Sequence, residues 1–153
     1  MRLPGLLALA LVVSLLYACS LGMGPAFPQI VPQRGLSDCM IAALATMSRQ
    51  RYDQVEQARL QAGVAFEPIG GLTAESAIKI ALRLGHALIL TRPPDLIGGR
   101  GILVFSYGEV GAAHATYLQA GYVFDPQADF ATPWVMWLEQ HPGAAPDYLL
   151  AER

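Results

Sequence analysis

The hydropathic pattern changes character twice along the chain. Residues 1–23 carry a single charge, Arg2, followed by the apolar run Leu6 to Leu16. From Ser37 the spacing becomes helical: Met40, Ile41, Leu44 and Met47 recur three and four residues apart, with Ser37 or Asp38 as the N-cap. An amphipathic helix is expected there, with Cys39 in its first turn. Arg51 to Ala62 predicts a second, more polar helix whose apolar members are Val55, Ala58 and Leu60 and whose stop is Gly63. After a turn at Gly70-Gly71, Thr73 caps a third helix, Ala74 to Leu84, with Gly85 at its C′ position. The second half shifts to short runs rich in Ile, Leu, Val, Tyr and Phe: Ala87 to Thr91, Gly101 to Ser106, His114 to Gln119 and Tyr122 to Asp125. Pro93-Pro94, Gly98-Gly99 and Ala120-Gly121 separate them, so they read as strands of an antiparallel sheet. Thr132-Pro133-Trp134 opens a last short helix to about Gln140, residues 142–146 read as loop, and Tyr148 to Ala151 as an edge strand. N-terminal helices followed by a C-terminal antiparallel sheet predict an α+β fold.

Composition narrows the setting. The chain has 153 residues, of which 54% are hydrophobic and 14% charged, as suits one compact domain. A formal net charge of −2 with scattered arginines offers no basic patch, and nucleic acid is excluded as a partner. The N-terminal run has the shape of a secretory h-region. It ends in Leu16-Tyr17-Ala18-Cys19-Ser20, which resembles a bacterial lipobox, Ala18 supplying the small residue before the cysteine. The expectation is a lipoprotein-type signal peptide over 1–18, lipidation at Cys19, a Gly- and Pro-rich tether over 19–32 and a single domain over 33–153. An uncleaved anchor from Leu3 to about Met23 and a plain cleaved signal are the alternatives. All three export the domain, and the first places it as a monomer on a bacterial membrane, at the outer membrane or periplasmic face.

Export alters the meaning of the two cysteines, because an oxidising compartment favours pairing them. With Cys19 acylated, Cys39 has no partner, and it stands where the positive end of a helix dipole favours a thiolate nucleophile. The alternative is a small buried hydrophobe. A cysteine hydrolase also needs a base and a group that orients the base. Of the three histidines, His86 follows Gly85 at a helix end and reads as a capping residue, while His141 lies beside Pro142 near a surface loop. His114 begins a strand after the small residues Gly111-Ala112-Ala113. With Ala120-Gly121 as a two-residue turn, Gln119 faces Tyr122 and Thr116 faces Asp125. Asp125 then becomes a diagonal neighbour of His114 on one face, about 7–8 Å away between backbones. A slip of one residue would separate them. One such cysteine and three scattered histidines make no zinc set, and no metal or other cofactor is expected.

Gln33, then Asp38-Cys39 at a helix start followed by Ala42-Ala43-Leu44, then His114 on a strand and Asp125-Pro126 after a hairpin, resembles the peptidase C39-like family of papain-fold cysteine peptidases. The resemblance spans about Val31 to Gln127 and implies a papain-like fold acting on a peptide or protein substrate. It implies Cys39 as nucleophile, His114 as base, Asp125 as the group orienting it, and Gln33 as side-chain oxyanion donor. The family often has glycine directly after the cysteine, where this chain has Met40. Members that process leaders are fused to transporter membrane domains, and this chain has none, so leader processing is not implied. Two rivals stand beside this reading: a cell-wall amidase or endopeptidase of the NlpC/P60 type, which does not rely on an upstream glutamine, and a binding or immunity-type lipoprotein with a silent site on the same fold.

Overall fold

The computed structural model describes residues 26–67, 71–108 and 112–153. The expected signal peptide, Cys19 and the tether up to residue 25 lie outside them. Three helices come first: α1 (Cys39–Ser48), α2 (Tyr52–Gln61) and α3 (Ala74–Arg83). The strands β1 (Leu88–Thr91), β2 (Arg100–Tyr107), β3 (Ala112–Gln119), β4 (Tyr122–Phe124) and β5 (Thr132–Pro133) follow, then α4 (Trp134–Gln140) and β6 (Ala144–Glu152). All six strands join one antiparallel sheet in the order β1-β6-β2-β3-β4-β5. The fold is α+β, and no helix among the described residues is long and apolar enough to cross a membrane.

α1 differs from the expected amphipathic helix because every residue from Met40 to Met47 is buried. A helix apolar all round belongs inside, and α1 is packed between the β2–β3 face of the sheet and the α2–α3 pair. Ala42, Ala43 and Ala45 are fully buried, so the small side chains let neighbours approach on faces that periodicity would assign to solvent. α3 follows expectation at both ends. Thr73 Oγ1 accepts from Ser76 N at 3.1 Å, and Gly85, at φ +85°, closes a Schellman turn in which His86 N donates to Ala81 O. The His86 side chain departs from its expected capping role and pairs with Glu152 at 2.7 Å.

Strand alternation divides the sheet into two apolar faces. Ile102, Val104, Ala115, Tyr117, Phe124 and Leu150 lie under α1. Leu103, Phe105, Leu118, Val123 and Leu149 pack on the other side around Trp137 of α4.

One expectation is corrected. β6 is not an edge strand: it lies between β1 and β2 and starts at Ala144, inside the expected loop. Pro146 hid this, since proline cannot donate to a ladder. It is accommodated where the β2–β6 register shifts, between the Val104–Tyr148 and Phe105–Pro146 pairs. Residues 26–32, within the expected tether, lie against the domain. Val31 N donates to the buried Thr46 Oγ1 at 2.9 Å, Arg49 reaches Ala26 O, and Phe27 packs edge-on to Phe124.

Candidate active site

The β3–β4 hairpin delivers the first two residues. Ala120 and Gly121 take φ of 51° and 78°, the left-handed pair of a type I′ turn, whose twist matches antiparallel strands. The ladder pairs Gln119 with Tyr122, Leu118 with Val123 and Tyr117 with Phe124, the register expected from the turn. Asp125, one residue beyond, bonds His114 Nε2 through Oδ1 at 2.8 Å. Its carboxylate is almost fully buried and held from two more directions: Gln127 N donates to Oδ1 at 2.9 Å and Trp137 Nε1 to Oδ2 at 2.8 Å. A charged acceptor with such donors gains about 1.5–3 kcal/mol per hydrogen bond.

Cys39 arrives from the other half of the chain, at the first position of α1. No side chain caps this helix, although Asp38 occupies the N-cap position. The Asp38 carboxylate is turned back into the preceding loop, where Oδ2 accepts from Arg34 N at 2.9 Å and Oδ1 from Gly35 N at 3.0 Å. Tyr52 of α2 donates its hydroxyl to the same Oδ2 at 2.5 Å. On the opposite side Gly71, at φ +83°, lies so close that a Cβ would stand 2.5 Å from Ser37 O. Only glycine fits there. The loop that presents Cys39 is thus gripped by α2 and by the segment leading into α3.

With Nε2 committed to Asp125, Nδ1 is the ring nitrogen left over, and Cys39 lines the same cavity as the imidazole. Burial would push the imidazole down. The hydrogen bond to the Asp125 carboxylate, its charge and the neighbouring Cys39 outweigh it and raise His114 to about 9. Asp125 moves the opposite way: burial pushes its carboxyl up, but the bonds from His114, Gln127 and Trp137 hold it below the ordinary carboxylate range. A cationic imidazole beside a sulfur is the setting in which cysteine acts as a thiolate nucleophile. A cavity of about 40 Å³ opens at the pair, lined by Cys39, His114, Met40, Leu72, Ala113 and Tyr148 among others.

Gln33 stands nearby but is not brought into that cavity. Its backbone N–H donates to Pro126 O at 3.2 Å, which ties it to the turn after Asp125. Its side-chain Nε2 donates to Gly35 O at 2.9 Å, and its Oε1 is buried without a partner. Among the described residues no group of three or more His, Cys, Asp and Glu side chains could hold a metal ion.

Four residues of this neighbourhood escaped sequence reasoning. Trp137 holds the second oxygen of Asp125 and stacks on Phe105 and His141, centroids 4.1 and 3.9 Å apart. His141, read as a surface-loop residue, accordingly lies against Trp137, with Nε2 4.0 Å from Asp125 Oδ2. Asp38 was visible only as a cap. Tyr148 lines the cavity because β6 is an interior strand, and no local signal announced that. Comparison with protein-family models gives no match, and comparison with curated proteins gives none.

Proposed function

We propose that this chain is an exported cysteine peptidase that hydrolyses a peptide or amide bond on a papain-like fold, held at a bacterial membrane through lipid on Cys19. The observation that carries the reading is His114, bonded to the buried Asp125 and lining one cavity with Cys39, with its imidazole raised to about 9. At neutral pH that imidazole is protonated, so the proton needed by the leaving group is already in place.

In the reaction, the Cys39 sulfur attacks the substrate carbonyl carbon and the C–N bond breaks as His114 gives its proton to the departing amine. The Cys39 N–H and the Gln33 side-chain amide receive the oxyanion, the latter after Nε2 turns from Gly35 O. Water then attacks the thioester, its proton passes to His114, the C–S bond breaks, and the acid is released with the Cys39 thiolate and the protonated His114 restored. Asp125 fixes the ring in the orientation that presents Nδ1 to sulfur.

A second reading, a silent binding module, draws support from the engagement of Gln33 with Gly35 and from the narrowness of the cavity. Two measurements on the purified chain separate them. The peptidase reading expects Cys39-dependent cleavage of a peptide mixture, reduced by roughly a thousandfold or more in Cys39→Ala and His114→Ala. It also expects alkylation of Cys39 by iodoacetamide at pH 7 faster than that of free cysteine, slowed about tenfold in His114→Ala. No cleavage, with alkylation no faster than that of free cysteine, would establish the binding module instead.

A further inference from the structure

The Asp38 carboxylate ties the start of the loop between Gln33 and Cys39 to its end. It receives two consecutive backbone amides, those of Arg34 and Gly35, and the hydroxyl of Tyr52. It is 7% exposed and sits directly before Cys39. Gln33 leads into this ring of contacts through its own bond to Gly35 O. Arg34 closes it from outside, with its guanidinium 4.3 Å over the Tyr52 ring and paired to Asp53 at 2.6 Å.

An aspartate at this position ordinarily turns inward and caps the amides of its own helix. Here the side chain makes no such bond. The first amides of α1, including that of Cys39, are left free of a side-chain acceptor, while the Arg34 and Gly35 amides of the loop are satisfied from within. A carboxylate left at the helix start would also oppose negative charge developing on an oxygen beside it. Turned into the loop and bonded to three donors, its charge is spread away from the sulfur side.

We propose that Asp38, anchored by Tyr52, is a positioning residue that builds the oxyanion site: it folds the loop so that Gln33 is held beside the turn after Asp125 while the Cys39 N–H stays open. This rests on the reading of Cys39 as an acyl-transfer nucleophile. Its consequence is specific to steps that generate an oxyanion.

Two reactions of the purified full chain test it. Acylation of Cys39 by p-nitrophenyl acetate passes through an oxyanion, whereas alkylation by iodoacetamide displaces iodide without one. Tyr52→Phe, which removes only the hydroxyl, and Asp38→Asn, which replaces the acceptor with an amide, are expected to slow acylation by roughly tenfold to a hundredfold. Alkylation is expected to change by less than about threefold, with melting curves showing both variants folded. Equal slowing of both reactions, or unchanged acylation in both variants, would overturn the proposal. Absence of any Cys39-dependent acylation in the wild-type protein would overturn the acyl-transfer reading, and this one with it.

Discussion

Two segments converge on the site by different means. The hairpin from His114 to Asp125 is organised locally: a two-residue turn sets the register, the register sets the face, and the face sets the pair. The loop from Gln33 to Cys39 has no such internal rule. Asp38 bonds within it, but Tyr52, Gly71 and Pro126 hold it from three places distant in sequence. The hairpin's geometry survives as long as its turn does, whereas the loop's geometry depends on the whole domain being assembled. A cysteine presented by a loop of the second kind is more easily misplaced than a histidine presented by the hairpin.

The strongest way to break that asymmetry is Gly71→Ala. A methyl group 2.5 Å from Ser37 O, on a residue with positive φ, must displace the loop, and a loss of roughly 2–4 kcal/mol in urea unfolding is expected. Fast alkylation of Cys39 should fall with it, while the β3–β4 hairpin keeps its amide protection from exchange. Loss of hairpin protection in the native state of this variant would show that the two segments are one unit.

The pH dependence of stability sharpens the other side. His114 is raised from an unfolded value of about 6.5 to about 9 in the fold. Its contribution is therefore complete below about pH 6.5 and lost as pH rises through about 9. Asp125 is lowered in the fold, so its contribution is present above about pH 4 and lost as pH falls through its depressed value. The melting temperature of the wild-type protein should exceed that of His114→Ala most between about pH 4 and 6.5, by roughly 5 °C. The gap should close toward pH 9.5. A gap independent of pH would mean the imidazole stabilises by packing alone.

The smallest effect is at the turn. Ala120 is a non-glycine residue at φ 51°, and Ala120→Gly should raise stability by about 0.5–1 kcal/mol with the His114–Asp125 bond intact. An unchanged or lower unfolding midpoint would show that the turn is not strained.

Much of the frame was legible. The three N-terminal helices, the cap at Thr73, the Gly85 stop and the hairpin register are all consequences of residues within a few positions of one another. β6 was misread because Pro146 is a strong local signal against an interior strand, and only the bulge opposite Val104 and Phe105 reconciles the two. Trp137 and His141 were passed over for a related reason. Their importance comes from Asp125, twelve and more residues away, and a short helix carries no mark of which carboxylate it will cover.

Sequence by itself therefore determined the local presentation of the candidate groups: a cysteine at a helix start, and a histidine and aspartate aligned by a turn. Those depend on backbone hydrogen bonding and side-chain alternation, which act over a few residues. Tertiary structure alone decided that His114 sits between Cys39 and Asp125, that Asp38 faces the loop and not its own helix, and that Gln33 bonds Gly35. These outcomes turn on which donor reaches a buried carboxylate first, and that competition is settled only when distant segments are packed together.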